Sequence, residues 1–215
     1  MGKIFFVIPA RRDSKGFPFK NRKLLEYTIN EIPSDLYENT IVTTNDEEII
    51  EQLSSKKINV LKRDEALSLD DVNIRDVMNN IVNHYSMDPS DIIVMLYLTY
   101  PERKFSDINK ILNIYKEKKI NSLLCCVEPK SHPYLCLFKQ DNNHGKQVIE
   151  HDMYRRQDYP ECFEISHFMC IFQVEIINNL NKNMYNTDTY FHKIESTLDV
   201  DYQNDFQQFK ENKKH

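Results

Sequence analysis

Short apolar runs alternate with amphipathic segments along most of the chain. Residues 3–9 form a continuous apolar run, which predicts a strand buried on both faces of a parallel sheet. Leu and Ile recur at helical spacing in residues 24–32, and Pro33 ends the predicted helix. The polar segment between these two elements therefore lies on a loop that leads from a strand into a helix.

The same alternation continues through the rest of the chain. Residues 40–44 are β-branched and predict a second strand, and either Asn45 or Asp46 caps the helix after it. Ser106 has the position of the N-cap of a later helix. Further predicted elements are strands at 59–61, 91–98, 122–127, 168–172 and 194–200, and helices at 72–85, near 174–180 and at the end of the chain.

This alternation predicts an α/β fold with a doubly wound, mostly parallel sheet, in a single domain that covers residues 1–215. Ligands bind such sheets at the carboxyl ends of the strands, so the loop after the first strand lies at a binding edge. The pattern breaks in residues 128–163, where Pro, His, Asn and Tyr are frequent and residues 142–145 predict a hairpin turn. We interpret this segment as an excursion from the sheet.

The composition is that of an ordinary globular protein, with 40% hydrophobic and 28% charged residues. The five cysteines are an odd number, and Cys125, Cys126 and Cys170 lie in apolar runs, so disulfides are not expected. Cys136 and Cys162 have no C-x-x-C partner, so a structural zinc site is not expected either. No apolar run is long enough to cross a bilayer, and we expect a cytoplasmic protein with no membrane partner. The net charge of -5 disfavours nucleic acid as a partner, because phosphate backbones bind to extended cationic surfaces.

Charge is concentrated at the first strand-to-helix loop. Residues 11–23 contain six basic side chains and one acidic side chain, a local net charge of +5, so the rest of the chain sums to -10. Ser14 adds a hydroxyl group and Gly16 permits a tight turn. Backbone amides and the heads of Lys and Arg neutralise phosphate oxygens at such loops, so the pattern predicts a triphosphate site. A solvated basic loop is the alternative interpretation.

Seven stretches of the chain match an ordered set of sequence motifs. The first is residues 8–21, I-P-A-R-R-D-S-K-G-F-P-F-K-N. The others are V-T-T-N-D-E-E-I at 42–49, R-D-E-A-L-S-L-D at 63–70, L-Y-L-T-Y-P-E-R at 96–103, V-E-P-K-S-H-P at 127–133, Y-R-R-Q-D-Y-P at 154–160 and D-V-D-Y-Q-N-D-F at 199–206. Together they resemble the motifs of the cytidylyltransferases that make CMP-sialic acid and CMP-Kdo, and the resemblance covers essentially the whole chain.

The resemblance implies transfer of CMP from CTP to a hydroxyl group of an acidic sugar, a sialic acid-like nonulosonate, with release of pyrophosphate. It implies a homodimer in which residues 128–163 reach toward the partner's site. The implied catalytic residues are Arg11, Lys20 and Asp201. The implied nucleotide-binding residues are Arg11, Arg12, Ser14, Lys15, Lys20, Asn21 and Arg63. The implied substrate-binding residues are Tyr97, Thr99, Arg103, His132, Arg155, Arg156 and Gln157.

Asp199 and Asp201 are the candidate metal ligands. Residues i and i+2 at the end of a strand point the same way and can share one divalent cation. An acidic turn that caps the last helix is the alternative interpretation. The position of the pair in the family pattern favours Mg²⁺ as the cofactor.

The motifs on the sugar side depart from the family pattern. Tyr97, Tyr100 and Glu102 replace Gln, Ser and Leu of L-Q-P-T-S-P-L-R, while residues 163–167 replace Y-R-x-N-G and place Glu164 where the family has Arg. A glutamate in the sugar pocket would repel a carboxylate, so the donor CTP is better defined than the acceptor. Two alternatives stay open: a nucleotidyltransferase for a different sugar or a phosphorylated acceptor, and a catalytically impaired nucleotide-binding relative.

Overall fold

The computed structural model describes residues 2–213, so residues 1, 214 and 215 of the predicted domain lie outside the described residues. The strands in this range are β1 (Ile4–Pro9), β2 (Thr40–Thr44), β3 (Asn59–Lys62), β4 (Ile92–Met95), β5 (Ser122–Val127), β6 (Leu137–Lys139), β7 (Gly145–Gln147), β8 (Glu164–Gln173) and β9 (Tyr190–Lys193). The α-helices are α1 (Lys20–Ile29), α2 (Glu47–Leu53), α3 (Ile74–Tyr85), α4 (Phe105–Lys118) and α5 (Gln203–Asn212).

Seven strands form one sheet in the order β3-β2-β1-β4-β8-β5-β9. Neighbouring strands are parallel except at β8, which is antiparallel to both β4 and β5. The chain adds β2 and β3 on one side of β1 and then crosses to β4 on the other side. The carboxyl ends of β1 and β4 therefore flank a topological switch point, where open α/β sheets bind ligands. The predicted α/β fold with a doubly wound, mostly parallel sheet is confirmed.

Apolar side chains cover both faces of the sheet. Phe6 and Ile8 of β1 face the cluster formed with α1, α2, α4 and α5, whereas Val7 faces the cluster that includes α3. This alternation follows from the period of two residues in a strand. Burial on both faces explains why β1 reads as a continuous apolar run in the sequence.

Several predicted element boundaries are wrong. Helix α1 occupies Lys20–Ile29 and not 24–32, so the basic loop is shorter than the charge pattern suggested. Ser106 lies inside the first turn of α4 and is not its cap, because the helix begins at Phe105 and Lys104 is the N-cap residue. The backbone N–H of Lys104 donates to the carboxylate of Asp107 at 3.1 Å. Residues 174–179 form a 3-10 helix.

Residues 194–200 form no strand, contrary to the prediction. They continue from β9 as an irregular segment, and the backbone N–H of Val200 donates to the carbonyl oxygen of Thr99 at 2.8 Å. This bond ties the segment, which carries Asp199 and leads directly to Asp201, to the loop after β4. The apolar spacing that predicted a strand reflects contact of Ile194, Leu198 and Val200 with the core.

The predicted excursion leaves the sheet between β5 and β8. Strands β6 and β7 pair in antiparallel register, with Lys139 opposite Gly145, so the predicted hairpin turn is confirmed. In the part of the chain that the structure describes, no helix combines the length and the apolar character that a membrane span requires.

Candidate active site

A cavity of about 370 Å³ lies at the carboxyl ends of β1 and β4. Residues that are distant in sequence converge on it from the basic loop, from the start of α1, from the segment between β3 and α3, and from the loop after β4. Nine of the residues predicted from the sequence line this cavity: Arg11, Ser14, Lys20, Asn21, Arg63, Tyr97, Thr99, Asp199 and Asp201. The sequence did not assign a role to other lining residues, including Asp13, Leu67, Leu69, Asp70, Val72, Ile74, Val77 and His167.

Two side-chain amides hold the basic loop in shape. Asn45 accepts a hydrogen bond from the backbone N–H of Arg12 at 2.8 Å, and Asn21 donates to the carbonyl oxygen of Arg11 at 2.8 Å. Asp46, and not Asn45, caps α2, because its carboxylate accepts from the backbone N–H of Glu48 at 3.1 Å. The loop after β2 thus supports the loop after β1, and Asn21 contributes to the shape of the cavity as well as to its wall.

Gly16 brings the basic loop against the acidic segment. A Cβ atom at this position would lie 2.8 Å from the backbone oxygen of Asp201 and 3.2 Å from the ring of Tyr202. Lys20, whose side chain is 13% exposed, donates to Asp201 Oδ1 at 2.8 Å and to the carbonyl oxygen of Val200 at 3.3 Å. Only glycine allows this approach without a shift of backbone, and the approach places Lys20 beside a candidate metal ligand.

Asp70 bridges two of the predicted phosphate-binding cations. Its carboxylate lies 2.8 Å from Arg11 and 2.8 Å from Lys15. The hydrogen bond from Lys15 and the charge of Arg11 hold the pKa of Asp70 below its ordinary value. Lys15 does not line the main cavity but an adjoining depression that it shares with Ser14 and Asp70. Asp70 is the last residue of the motif at 63–70, and its place in that motif was the feature of the sequence that could have assigned it to the site.

Arg63 is a buried cation in the cavity wall. It is 5% exposed, and its guanidinium donates to the hydroxyl of Thr43 at 3.4 Å and to the carbonyl oxygen of Thr43 at 3.0 Å. Burial and the charge of Arg11 lower its pKa to about 10, so it stays charged at neutral pH. Among residues 2–213 it forms no ion pair, and a desolvated cation of this kind favours an electron-rich ligand in the cavity.

Asp199 and Asp201 both line the cavity. Asp199 lies on the irregular segment 194–200 and Asp201 directly after it, so neither lies at a strand end. Asp199 Oδ2 accepts a hydrogen bond from the hydroxyl of Tyr100 at 2.8 Å, while Asp201 pairs with Lys20. The described residues contain no group of three or more His, Cys, Asp or Glu arranged for a metal. Two carboxylates alone fit Mg²⁺, which keeps several waters and completes its shell with substrate phosphates.

An aromatic pair forms another part of the wall. The rings of Tyr97 and His167 lie 5.1 Å apart at their centres. Burial raises the pKa of Tyr97 and lowers the pKa of His167, so both side chains are neutral at pH 7. His167 is the last residue of the stretch 163–167, which departs from the family pattern. That departure indicated a change on the sugar side of the site. Glu164 of that stretch is exposed and accepts from the backbone of Lys130 at 3.3 Å, so it is not in the cavity.

Two predicted ligand-binding arginines are placed elsewhere. Arg103 is 3% exposed, and its guanidinium donates to the carbonyl oxygens of Phe168 and Tyr97, the latter at 2.8 Å. It therefore supports the loop after β4 from behind and does not reach the cavity, which corrects its assignment to the substrate. Arg12 lies 3.7 Å from Glu65 and does not line the cavity either.

The predicted sugar-binding residues of the excursion do not line the cavity. His132 Nδ1 accepts from the backbone of Tyr134 at 3.1 Å while Nε2 bonds to the carbonyl oxygen of Pro160 at 2.9 Å, so this side chain holds the excursion together. Arg155 pairs with Asp158 at 2.7 Å. The residues that the structure keeps apart from the cavity of the same chain are His132, Arg155, Arg156 and Gln157.

Fold and site together define a class of protein. A cationic loop at the switch point of an α/β sheet is a common place for nucleotide phosphates, and two carboxylates in the same cavity suit a metal bound with a phosphate ligand. The chain has the architecture of a nucleotide-binding α/β protein. The family model described as cytidylyltransferase matches residues 5–213, so the chain belongs to the cytidylyltransferase family, and the resemblance seen in the motifs is confirmed.

Two curated relatives are N-acylneuraminate cytidylyltransferases of Streptococcus agalactiae, from serotype V and serotype III. The chain is 26% identical to each over 212 residues. The match covers 93% of this chain and 51% of each relative. The chain thus spans about half the length of the curated relatives it matches.

Solved structures share the fold over the full chain. A CMP:2-keto-3-deoxy-manno-octonic acid synthetase complexed with CTP has a TM-score of 0.69 and 12% identity, covering 99% of this chain and 98% of that chain. A 4-diphosphocytidyl-2C-methyl-D-erythritol synthase from Anaerococcus prevotii has a TM-score of 0.62 and 15% identity, covering 100% and 99%. At these identities the likeness shows the fold alone.

Proposed function

We propose that this chain transfers CMP from CTP to a hydroxyl group of an acidic sugar and releases pyrophosphate. The observation that carries the proposal is the cavity at the switch point, where Arg11, Ser14 and Lys20 face Asp199 and Asp201. Family membership supports the donor, and the N-acylneuraminate cytidylyltransferases at 26% identity support an acidic sugar as acceptor.

The nucleotide would occupy the side of the cavity formed by the basic loop. Arg11, Ser14, Lys15 and Lys20 supply cations and a hydroxyl group for the triphosphate oxygens. Arg63 offers a buried guanidinium to the electron-rich edge of the cytosine ring. The wall beside it is apolar and suits a planar base; it consists of Leu67, Leu69, Val72, Ile74 and Val77.

Asp199 and Asp201 would hold Mg²⁺. When bound, the metal neutralises charge on the phosphates and on the leaving pyrophosphate. Lys20 now pairs with Asp201, so it stands where it can exchange the carboxylate for a phosphate oxygen. The role of these side chains is to position groups and to balance charge, so that the sugar hydroxyl attacks the α-phosphorus of CTP and pyrophosphate leaves without a covalent intermediate on the protein.

The acceptor would lie beside Tyr97, Thr99 and His167, which offer hydroxyl groups, an imidazole and aromatic surface. A partner subunit would supply the basic groups for a sugar carboxylate. Two apolar residues of the hairpin, Leu137 and Phe138, are 61% and 60% exposed, and exposed apolar clusters mark interaction surfaces. We therefore propose a homodimer that covers the hairpin and brings Arg155 and Arg156 toward the partner's cavity.

A second candidate acceptor is a sugar without a carboxylate. The observation that favours it is that Tyr97, Thr99 and His167, which line this side of the cavity, carry no positive charge at pH 7, because burial lowers the pKa of His167. In this case the donor chemistry is unchanged and the acceptor hydroxyl is recognised by neutral groups alone. The same assay separates the two candidates.

The test is pyrophosphate release with CTP and Mg²⁺ over a panel of sialic, legionaminic, pseudaminic and Kdo acids, with neutral hexoses added. Release with one acid, lost in Asp201→Ala and on chelation of the metal, supports the proposal. Asp35→Ala is the matched control, because Asp35 is exposed and does not line the cavity. Release with a neutral sugar alone selects the second candidate. Failure of CTP to raise the melting temperature contradicts both.

A further inference from the structure

Tyr100 makes a long-range contact with one of the two cavity carboxylates. It follows β4 in the loop at the switch point, is 5% exposed, and donates from its hydroxyl to Asp199 Oδ2 at 2.8 Å. The two residues lie 99 positions apart in the sequence. Tyr100 does not itself line the cavity, so it contacts the carboxylate from the protein side.

The direction of the Tyr100 hydroxyl is fixed by a second hydrogen bond. Ser166 Oγ donates to the phenol oxygen at 3.3 Å, and Ser166 Oγ in turn accepts from the backbone N–H of Phe168 at 3.3 Å. Because the phenol oxygen accepts from Ser166, its own proton points to Asp199.

The two cavity carboxylates are held by different kinds of partner. Asp201 pairs with the cation of Lys20 at 2.8 Å, which neutralises part of its charge. Tyr100 is a neutral donor, so it fixes the orientation of Asp199 and leaves its negative charge in place. A carboxylate that is oriented but not neutralised is well suited to bind a divalent cation.

We propose that Tyr100 is a positioning residue that holds Asp199 by one carboxylate oxygen and leaves the other for a divalent cation in the cavity. This inference rests on the proposed function, in which Asp199 and Asp201 hold Mg²⁺. Removal of such a partner from a metal-binding group costs about 10- to 100-fold in metal affinity or activity. Tyr100→Phe removes the hydroxyl and keeps the ring that packs against Phe168.

The backbone near Asp199 has its own support. The N–H of Val200 donates to the carbonyl oxygen of Thr99 at 2.8 Å, and this bond involves no atom of the Tyr100 side chain. The substitution therefore frees the carboxylate to rotate while its Cα stays in place. Ser166→Ala is a milder second variant, because it keeps the Tyr100 hydroxyl and removes the donor that directs the phenol proton, together with the acceptor for the N–H of Phe168.

The experiment measures Mn²⁺ binding by calorimetry and by electron paramagnetic resonance, with CTP present, in the full chain. We expect Tyr100→Phe to raise the Kd of Mn²⁺ about tenfold and to raise the Mg²⁺ concentration for half-maximal pyrophosphate release, with kcat restored at saturating Mg²⁺. CTP binding in the absence of metal is unchanged. Ser166→Ala shifts the Kd of Mn²⁺ in the same direction by a smaller factor.

Tyr115→Phe is the matched control. Tyr115 lies on α4, is 3% exposed, and donates from its hydroxyl to the carbonyl oxygen of Asn121 at 3.3 Å. It is expected to lower the melting temperature without changing the Kd of Mn²⁺. An unchanged Kd in both Tyr100→Phe and Ser166→Ala, in a wild type that binds Mn²⁺ and releases pyrophosphate, overturns the inference and leaves the proposed function standing. A wild type that binds neither CTP nor Mn²⁺ overturns both.

Discussion

Gly16→Ala tests the contact that joins the basic loop to the acidic segment. The added Cβ would lie 2.8 Å from the backbone oxygen of Asp201, where ordinary contacts begin at 3.4 Å. The loop must therefore move about 0.6 Å from Asp201. The neighbour is backbone and not a flexible side-chain end, so the loop itself has to shift.

The cost of this shift follows from the packing. Overpacking of a fitted contact costs about 1 to 3 kcal/mol, and replacement of glycine by alanine recovers about 0.4 to 1 kcal/mol through the unfolded chain. That recovery applies because Gly16 does not have a positive φ. We expect a net destabilisation of about 1 to 2 kcal/mol, or a fall in Tm of roughly 2 to 8 °C for a chain of this size.

The effect on activity is expected to be larger than the effect on stability. Misplacement of a binding group by about 1 Å costs on the order of 100-fold in rate, so a movement of about 0.6 Å should lower kcat/KM for CTP roughly tenfold. Lys20 follows the loop directly and loses its 2.8 Å contact with Asp201. The assays are pyrophosphate release at varied CTP and calorimetric binding of CTP.

Gly145→Ala is the matched control. Its Cβ would lie 3.0 Å from the Cδ1 atom of Leu137, the flexible end of an exposed side chain on the hairpin, which can move away at little cost. Gly145→Ala should leave CTP binding unchanged. If Gly16→Ala binds CTP as tightly as the wild type and melts at the same temperature, Gly16 does not pack closely against the backbone of Asp201, and the reasoning is wrong.

Three further predictions follow from individual contacts. Asp70→Asn removes the carboxylate that pairs with Arg11 and Lys15. This carboxylate competes with phosphate for the two cations, so calorimetry at low salt should show CTP bound a few-fold more tightly. Weaker binding of CTP contradicts this prediction. Arg103→Met leaves buried carbonyl oxygens without a donor and should lower the free energy of unfolding in urea by about 2 to 4 kcal/mol, with an unchanged acceptor KM. Burial lowers the pKa of His167 below 6.5, so the imidazole of the unfolded chain protonates first as the pH falls. The free energy of unfolding should therefore decline below about pH 6.5, and His167→Gln should flatten that decline in urea titrations at varied pH.

The sheet was predictable because its signal is local. Strands buried on both faces read as continuous apolar runs, and β2 and β5 have the predicted bounds. The segment 194–200 shows the limit of this reasoning. Its apolar residues are spaced as in a strand, but they record burial against the core and not the hydrogen bonding of the backbone, which sequence spacing does not encode.

The candidate site was predictable only in part. The basic loop stands out because its charge is concentrated in a short stretch, and Arg11, Ser14 and Lys20 do line the cavity. Arg103 was assigned to the substrate from its place in the motif at 96–103, and a sequence does not distinguish a buried arginine from an exposed one. The bridge from Asp70 to Arg11 joins residues 59 positions apart, and such pairings depend on the completed fold.

The charges of the site also connect the two proposed ligands. Arg11 and Lys15 share Asp70, and Lys20 pairs with Asp201, so each of these cations already has an anionic partner within the chain. A triphosphate that attracts Lys20 would release Asp201, and the released carboxylate would then be available to a divalent cation. Coupling between binding sites is reciprocal. Mg²⁺ should therefore tighten CTP binding by the same factor by which CTP tightens Mg²⁺ binding, and loss of the Lys20 cation should weaken this coupling.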